Sequence, residues 1–105
     1  MGTVRRPKPK RLAEKLLQIR LALGLSQNEL IRRLDFEKEL VQGTISTYEL
    51  GKREPSLPLL LKYAQLANVW VDVLIDDELD LPKKIPSSKR HEGIRRVQRT
   101  QRRKD

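Results

Sequence analysis

From Arg11 onward the apolar positions recur with a helical period. Leu12, Leu16, Ile19 and Leu23 are spaced four, three and four apart, one stripe on a 3.6-residue helix. Gly24 follows where a left-handed glycine ends a helix at no steric cost. Leu17 and Leu21 fall beside the stripe and widen the apolar face, enough to serve a second partner. Ser26-Gln27-Asn28-Glu29 then has the form of a capping box, with Leu25 and Leu30 as a hydrophobic staple. It predicts a second helix over 27–34 with Leu30 and Leu34 inward, Arg32 and Arg33 outward, and Asp35 as interruption. Residues 35–41 read as a folded loop, with a continuation of helix two as the alternative, and Phe36, Leu40 and Val41 are expected to be buried.

The pattern tightens over residues 42–50. Ile45 and Tyr48 stand three apart and share one inward face, while Gln42, Thr44, Ser46 and Thr47 supply polar groups to the other side. Gly51 is the predicted stop. A merely solvated helix is laced with Lys and Glu; this outward face carries amide and hydroxyl groups and almost no charge. Either it reads a partner through hydrogen bonds, or it is a polar surface helix. Ser56 caps a predicted fourth helix in which Pro58 is tolerated in the first turn, with Leu57, Leu60, Leu61, Ala64 and Ala67 inward and Asn68 as the left-handed stop. A short fifth helix over 71–75 would bury Val71 and Leu74, with Val69 filling the space below. No segment has the alternation of a strand, so the class is all-α.

Composition sets the bounds on chemistry. A chain of 105 residues with 37% hydrophobic content forms one small domain. Without cysteine, and with His91 as its one histidine, it has neither disulfides nor a thiolate or all-histidine metal site. The acids Asp76, Asp77, Glu78 and Asp80 lack calcium-loop spacing and read as a solvated domain edge, so no metal and no cofactor is expected. Paired acid and base, nucleophile with base, and phosphate loop are all missing, which argues against an enzyme. No apolar run is long enough to span a bilayer, and no signal-peptide core follows the basic start; a soluble cytoplasmic, nucleoid-associated protein is expected.

The charge of +9 is unevenly placed. Residues 1–10 hold four basic side chains and no acid, and residues 83–105 hold ten against Glu92 and Asp105. Residues 11–82 carry nine basic and twelve acidic side chains, so the folded part is mildly acidic. The organisation predicted is a flexible basic arm (1–10), a domain (11–82) and a basic, disordered tail (83–105). Basic blocks around a globular core suit a polyanion, because each neutralised phosphate releases a counterion. Solubility padding is the alternative.

A second helix, a connector and a polar-faced third helix, framed by helices one and four, is the helix-turn-helix arrangement. Leu25-Ser26-Gln27-Asn28-Glu29-Leu30, then Thr44-Ile45-Ser46, then Glu49-Leu50-Gly51-Lys52-Arg53-Glu54-Pro55-Ser56 resemble the Cro/repressor (XRE-like) class of bacterial and phage regulators. Every fixed letter of that family's pattern, L-S-Q-x-E-L, T-I-S and E-x-G-x-R-x-P-S, is present, and the resemblance covers about residues 11–76. It implies a five-helix lambda-repressor-like domain. It also implies roles: Gln27 on a phosphate; Gln42, Gly43, Ser46 and Thr47 toward bases with Thr44 nearby; Lys52 and Arg53 on phosphates; and an ion bridge between Arg20 and Glu49. Gln42 is the leading base reader, through adenine N6 and N7, and Thr47 suits a thymine methyl. Two features depart from the family: the longer connector at 35–41, and Gly43, which offers no side chain to a base.

Trp70 is either a core residue or, with Val73, Leu66 and Leu21, part of a dimer patch. The resulting expectation is a sequence-specific transcription regulator, a repressor, binding double-stranded DNA as a homodimer on a near-palindromic site. The alternatives are an antitoxin whose C-terminal tail wraps a toxin, and a basic adaptor on RNA or the ribosome.

Overall fold

Helix α1 (Leu12–Ala22) turns Leu12, Leu16 and Ile19 into the core, with Leu23 packed at its end. These positions belong to a computed structural model that describes residues 8–90 and 93–95. No side chain of α1 caps its own N-terminus. The carboxylate of Asp77 does so from 66 residues away, accepting the N–H of Arg11 at 3.0 Å and that of Lys10 at 2.9 Å. Asp80 accepts from Arg11 Nη2 at 2.6 Å. The acidic segment is therefore not the solvated edge expected: two of its four acids clamp the start of α1. The expected flexible arm likewise ends sooner, since the backbone at Lys10 is tied down; residues 1–7 lie outside the described residues.

Helix α2 (Gln27–Leu34) starts at the capping box the sequence predicts. Ser26 Oγ accepts the Glu29 N–H at 3.1 Å, and Glu29 Oε1 accepts the Ser26 N–H at 2.8 Å. Asp35 ends it in the left-handed conformation, with φ 63°. The connector folds back over α2, its Phe36 N–H donating to Ile31 O at 3.2 Å, and Phe36 and Leu40 pack against the core. Val41 does not join them. It is the extended N-cap of helix α3 (Gln42–Glu49), so its side chain stands at the helix entrance, in solvent.

Helix α4 (Leu57–Ala67) begins where Ser56 Oγ accepts the Leu59 N–H at 3.3 Å and ends at left-handed Asn68, φ 59°. Its inward face differs from the one predicted. Leu59, Leu60, Tyr63, Ala64 and Ala67 are buried, while Leu57 and Leu61 are exposed. The run Leu57-Pro58-Leu59-Leu60-Leu61 is apolar on every side, so periodicity has no preferred direction there. Helix α5 (Asp72–Ile75) buries Val73 and Leu74 completely and Val71 in part. Fully buried Lys15 joins α1 to α5, its Nζ donating to Val73 O at 2.8 Å and Asp76 O at 2.9 Å. Burial, with Arg11 nearby, holds its ammonium pKa below the ordinary lysine value despite Asp77, Asp80 and Asp76.

The domain does not end at Pro82. Strand β1 (Leu79–Asp80) pairs antiparallel with β2 (Ile94–Arg95), Leu79 opposite Arg95 and Asp80 opposite Ile94. Between them the chain crosses the end of α4 as a strap. Ile85 packs on the core, Ser87 N–H donates to Ala67 O at 2.9 Å, and Asn68 Nδ2 donates to Ser87 O at 2.7 Å. Arg90 Nε donates to Val69 O at 3.2 Å and its guanidinium lies 4.5 Å above the Trp70 ring. The expected disordered tail is thus corrected over 83–90 and 93–95, as is the expected lack of strands. The orphan carbonyls at the end of α4 offer bonds that a short polar segment can take, which composition does not display. Residues 91–92 and 96–105, with His91, lie outside the described residues. Among those described, no helix is long and apolar enough to cross a membrane.

Candidate nucleic-acid interface

Helix α3 is fastened to the core along one side by Ile45 and Tyr48, both buried. Its orientation is set by charge as well as packing. Arg20 Nε and Nη2 donate to the two carboxylate oxygens of Glu49, at 2.7 and 3.0 Å, with side chains 16% and 6% exposed. Arg20 Nη1 also donates to Leu25 O at 3.0 Å, in the turn before α2. The bond to Glu49 outweighs the cost of burial and raises the Arg20 pKa further. One guanidinium thereby references α1, the α2 entrance and the end of α3 to one another.

Gln27 is drawn into the same cluster, its Nε2 donating to Glu49 Oε1 at 3.1 Å while the residue stays half-buried. One amide hydrogen is therefore committed to positioning α3, and the other remains for an outside acceptor. Behind Glu49, the Tyr63 hydroxyl is buried with no hydrogen-bond partner among the described residues, and burial, with Glu49 and Tyr48, pushes its pKa far above the usual tyrosine range.

The outward side of α3 presents Gln42 and Gly43 exposed, and Thr44, Ser46 and Thr47 half-buried. Asn28 Nδ2 donates to Gln42 Oε1 at 3.4 Å, so the first turn of α2 steadies the Gln42 amide; sequence reasoning assigned Asn28 no role beyond the capping box. Thr47 Oγ1 donates to Thr44 O at 2.7 Å, which commits its hydroxyl to the helix. A Cβ on Gly43 would meet nothing within 4 Å, so this position is open rather than crowded. At the far end Gly51, φ 76°, terminates α3. The Lys52 N–H then donates to Thr47 O at 2.9 Å, and both Lys52 and Arg53 are exposed beside the helix end. The longer connector has not displaced Gln42 from the first turn of α3.

The four residues considered for a dimer patch do not form one. Val73 is fully buried, with Gly93 against its side chain, and Leu66 is half-buried. Trp70, 48% exposed and so not a core residue, borders a crevice with Leu61 and Arg90. Leu21 borders a different one, with Gln18 and Ile85. Among the described residues no group of three or more His, Cys, Asp or Glu could hold a metal ion.

The family model described as helix-turn-helix matches residues 16–73, from within α1 to the first half of α5. No curated protein and no solved structure matches the chain.

Proposed function

Since the chain belongs to the Cro/XRE-type helix-turn-helix family of DNA-binding regulators, we propose that it is a repressor that lays α3 in the major groove of a near-palindromic operator. The observation that carries this reading is the uncharged outward strip of Gln42, Gly43, Ser46 and Thr47, bounded by exposed Lys52 and Arg53. Amide and hydroxyl groups match base edges, and cations at the end of the strip match phosphates, which set register without reading sequence. Gln42 is the principal reader, with Asn28 holding its amide. Thr44 sits beside the strip. The free amide hydrogen of Gln27, at the N-terminus of α2, meets a phosphate.

Two copies bind half-sites about 34 Å apart, one helical turn. The exposed apolar side chains of α4, α5 and the turn between them, Leu57, Leu61, Ile75 and Trp70, are the surface offered for pairing. Selecting bound sites from a random duplex pool tests the reading. Wild type should yield a two-fold symmetric consensus, and Gln42→Ala should relax it at one base step, while Lys52→Ala and Arg53→Ala weaken all sequences evenly. A Gln42→Ala protein that selects the wild-type consensus would show α3 to be wrongly placed.

A further inference from the structure

We infer that Leu50 reads a thymine, packing against the C5-methyl group in the major groove together with the methyl group of Thr47. This rests on the placement of α3 proposed above and extends it to a residue that the family resemblance did not bring forward. Leu50 is the C-cap of α3 and keeps helical angles, φ −90° and ψ −3°, its N–H donating to Ser46 O at 3.0 Å. Its side chain therefore continues the helical rotation. Counting three and four residues at a time, Gly43, Ser46, Thr47 and Leu50 form one stripe, on the side away from buried Ile45 and Tyr48.

Leu50 is 66% exposed and is not among the apolar side chains packed against the core. The fold has no use for a large apolar group there; a polar residue would satisfy the helix end as well. Nor does Leu50 border the crevice that holds Leu57 and Ile75, which Arg53 does border. The chain turns after Gly51, where both the Lys52 and Arg53 N–H groups donate back to Thr47 O, so two exposed cations follow Leu50 within three residues. An exposed leucine at a helix end, followed by two exposed cations, suits a polyanion that carries one small apolar group. In the major groove of a duplex that group is the thymine methyl. Thr47 strengthens the assignment. Its hydroxyl is spent on Thr44 O, so the methyl is the part left for a base, one turn from Leu50.

The test uses the full chain and its selected duplex, with each thymine replaced in turn by uracil, which removes the C5-methyl and nothing else. At one step in each half-site the replacement should weaken wild-type binding about fourfold, the value of one buried methyl. Leu50→Ala should bind the selected duplex more weakly and be indifferent to uracil at that same step. Its melting temperature should stay at the wild-type value, because the side chain leaves no core contact behind. If Gln42→Ala changes the consensus but no uracil effect disappears in Leu50→Ala, the Leu50 assignment fails and the placement of α3 stands. If Gln42→Ala leaves the consensus unchanged, the placement fails and this inference with it. A Leu50→Ala protein that binds DNA as wild type does but sediments differently would make Leu50 a protein contact and overturn the assignment.

Discussion

Arg20 and Glu49 meet through two hydrogen bonds, 2.7 and 3.0 Å long, that tie the middle of the fold to the end of α3. Both side chains are nearly out of solvent, so neither charge is comfortable without the other. Arg20→Ala or Glu49→Ala should each lower stability by about 3 kcal/mol in urea unfolding, most of it from the charge left behind. A paired replacement, Arg20→Met with Glu49→Leu, should recover much of that stability. It should not recover base selectivity, since Gln27 and the turn at Leu25 lose their common reference. Full selectivity in a stable double variant would show that packing of Ile45 and Tyr48 alone orients α3.

Gly43 separates a folding requirement from a binding one. Its surroundings are open and its backbone is helical, so nothing in the fold asks for glycine. Gly43→Ala should therefore raise stability by about 0.5–1 kcal/mol, read as a higher midpoint in urea. The same methyl should weaken binding to the selected duplex, because it stands between the α3 backbone and the bases. Stability and affinity rising together would place Gly43 away from the DNA.

Asp77 links the acidic segment to pH. Burial opposes its ionisation, but the N–H groups of Lys10 and Arg11 and the charges of Lys15 and Arg11 outweigh it and hold its carboxyl below the ordinary aspartate range. A folded pKa lower than the unfolded one means stability that is complete above the unfolded pKa and is lost as pH falls through the folded one. Asp77→Asn should cost about 1 kcal/mol at pH 7, as loss of a helix cap does. The gap from wild type should hold constant down to about pH 4, the unfolded value, and close below it. Unfolding curves collected from pH 7 to pH 3 check this, and a gap that widens in acid would contradict it.

Asn68 serves two elements at once. It ends α4 in the left-handed conformation, and its Nδ2 holds the strap at Ser87 O. Asn68→Gly keeps the conformation and removes the bond, so it isolates the strap. It should lower stability by about 1 kcal/mol, and hydrogen exchange should quicken at the Ser87 amide before that of α2 or α3. Uniform loss of protection would mean that the strap and the helices open as one unit.

Local chemistry wrote several parts of this protein legibly into its sequence. The capping box at Ser26 and Glu29, the stops at Gly51 and Asn68, and the Ser56 cap are contacts between neighbours in the chain, so their residues carry their meaning wherever the domain folds. The ordered motif through residues 25–56 likewise marks a helix-turn-helix by residue type and spacing alone. What only the tertiary structure decided are relations between distant residues. The leucine run that opens α4 is apolar all round, and its inward side was chosen by what lay against it, leaving Leu57 and Leu61 outside. Val73, a candidate for a surface patch by sequence, is completely buried, with Gly93 from beyond α5 against its side chain. The carbonyls of Val73 and Asp76 close over Lys15, and Asp77 caps a helix that begins 65 residues earlier. The strap follows the same logic: a polar, basic segment has no reason of its own to be ordered, and acquires one from the unsatisfied carbonyls at the end of α4. Bonds between sequence neighbours are specified by residue type and spacing, whereas these depend on where the rest of the chain has already been placed.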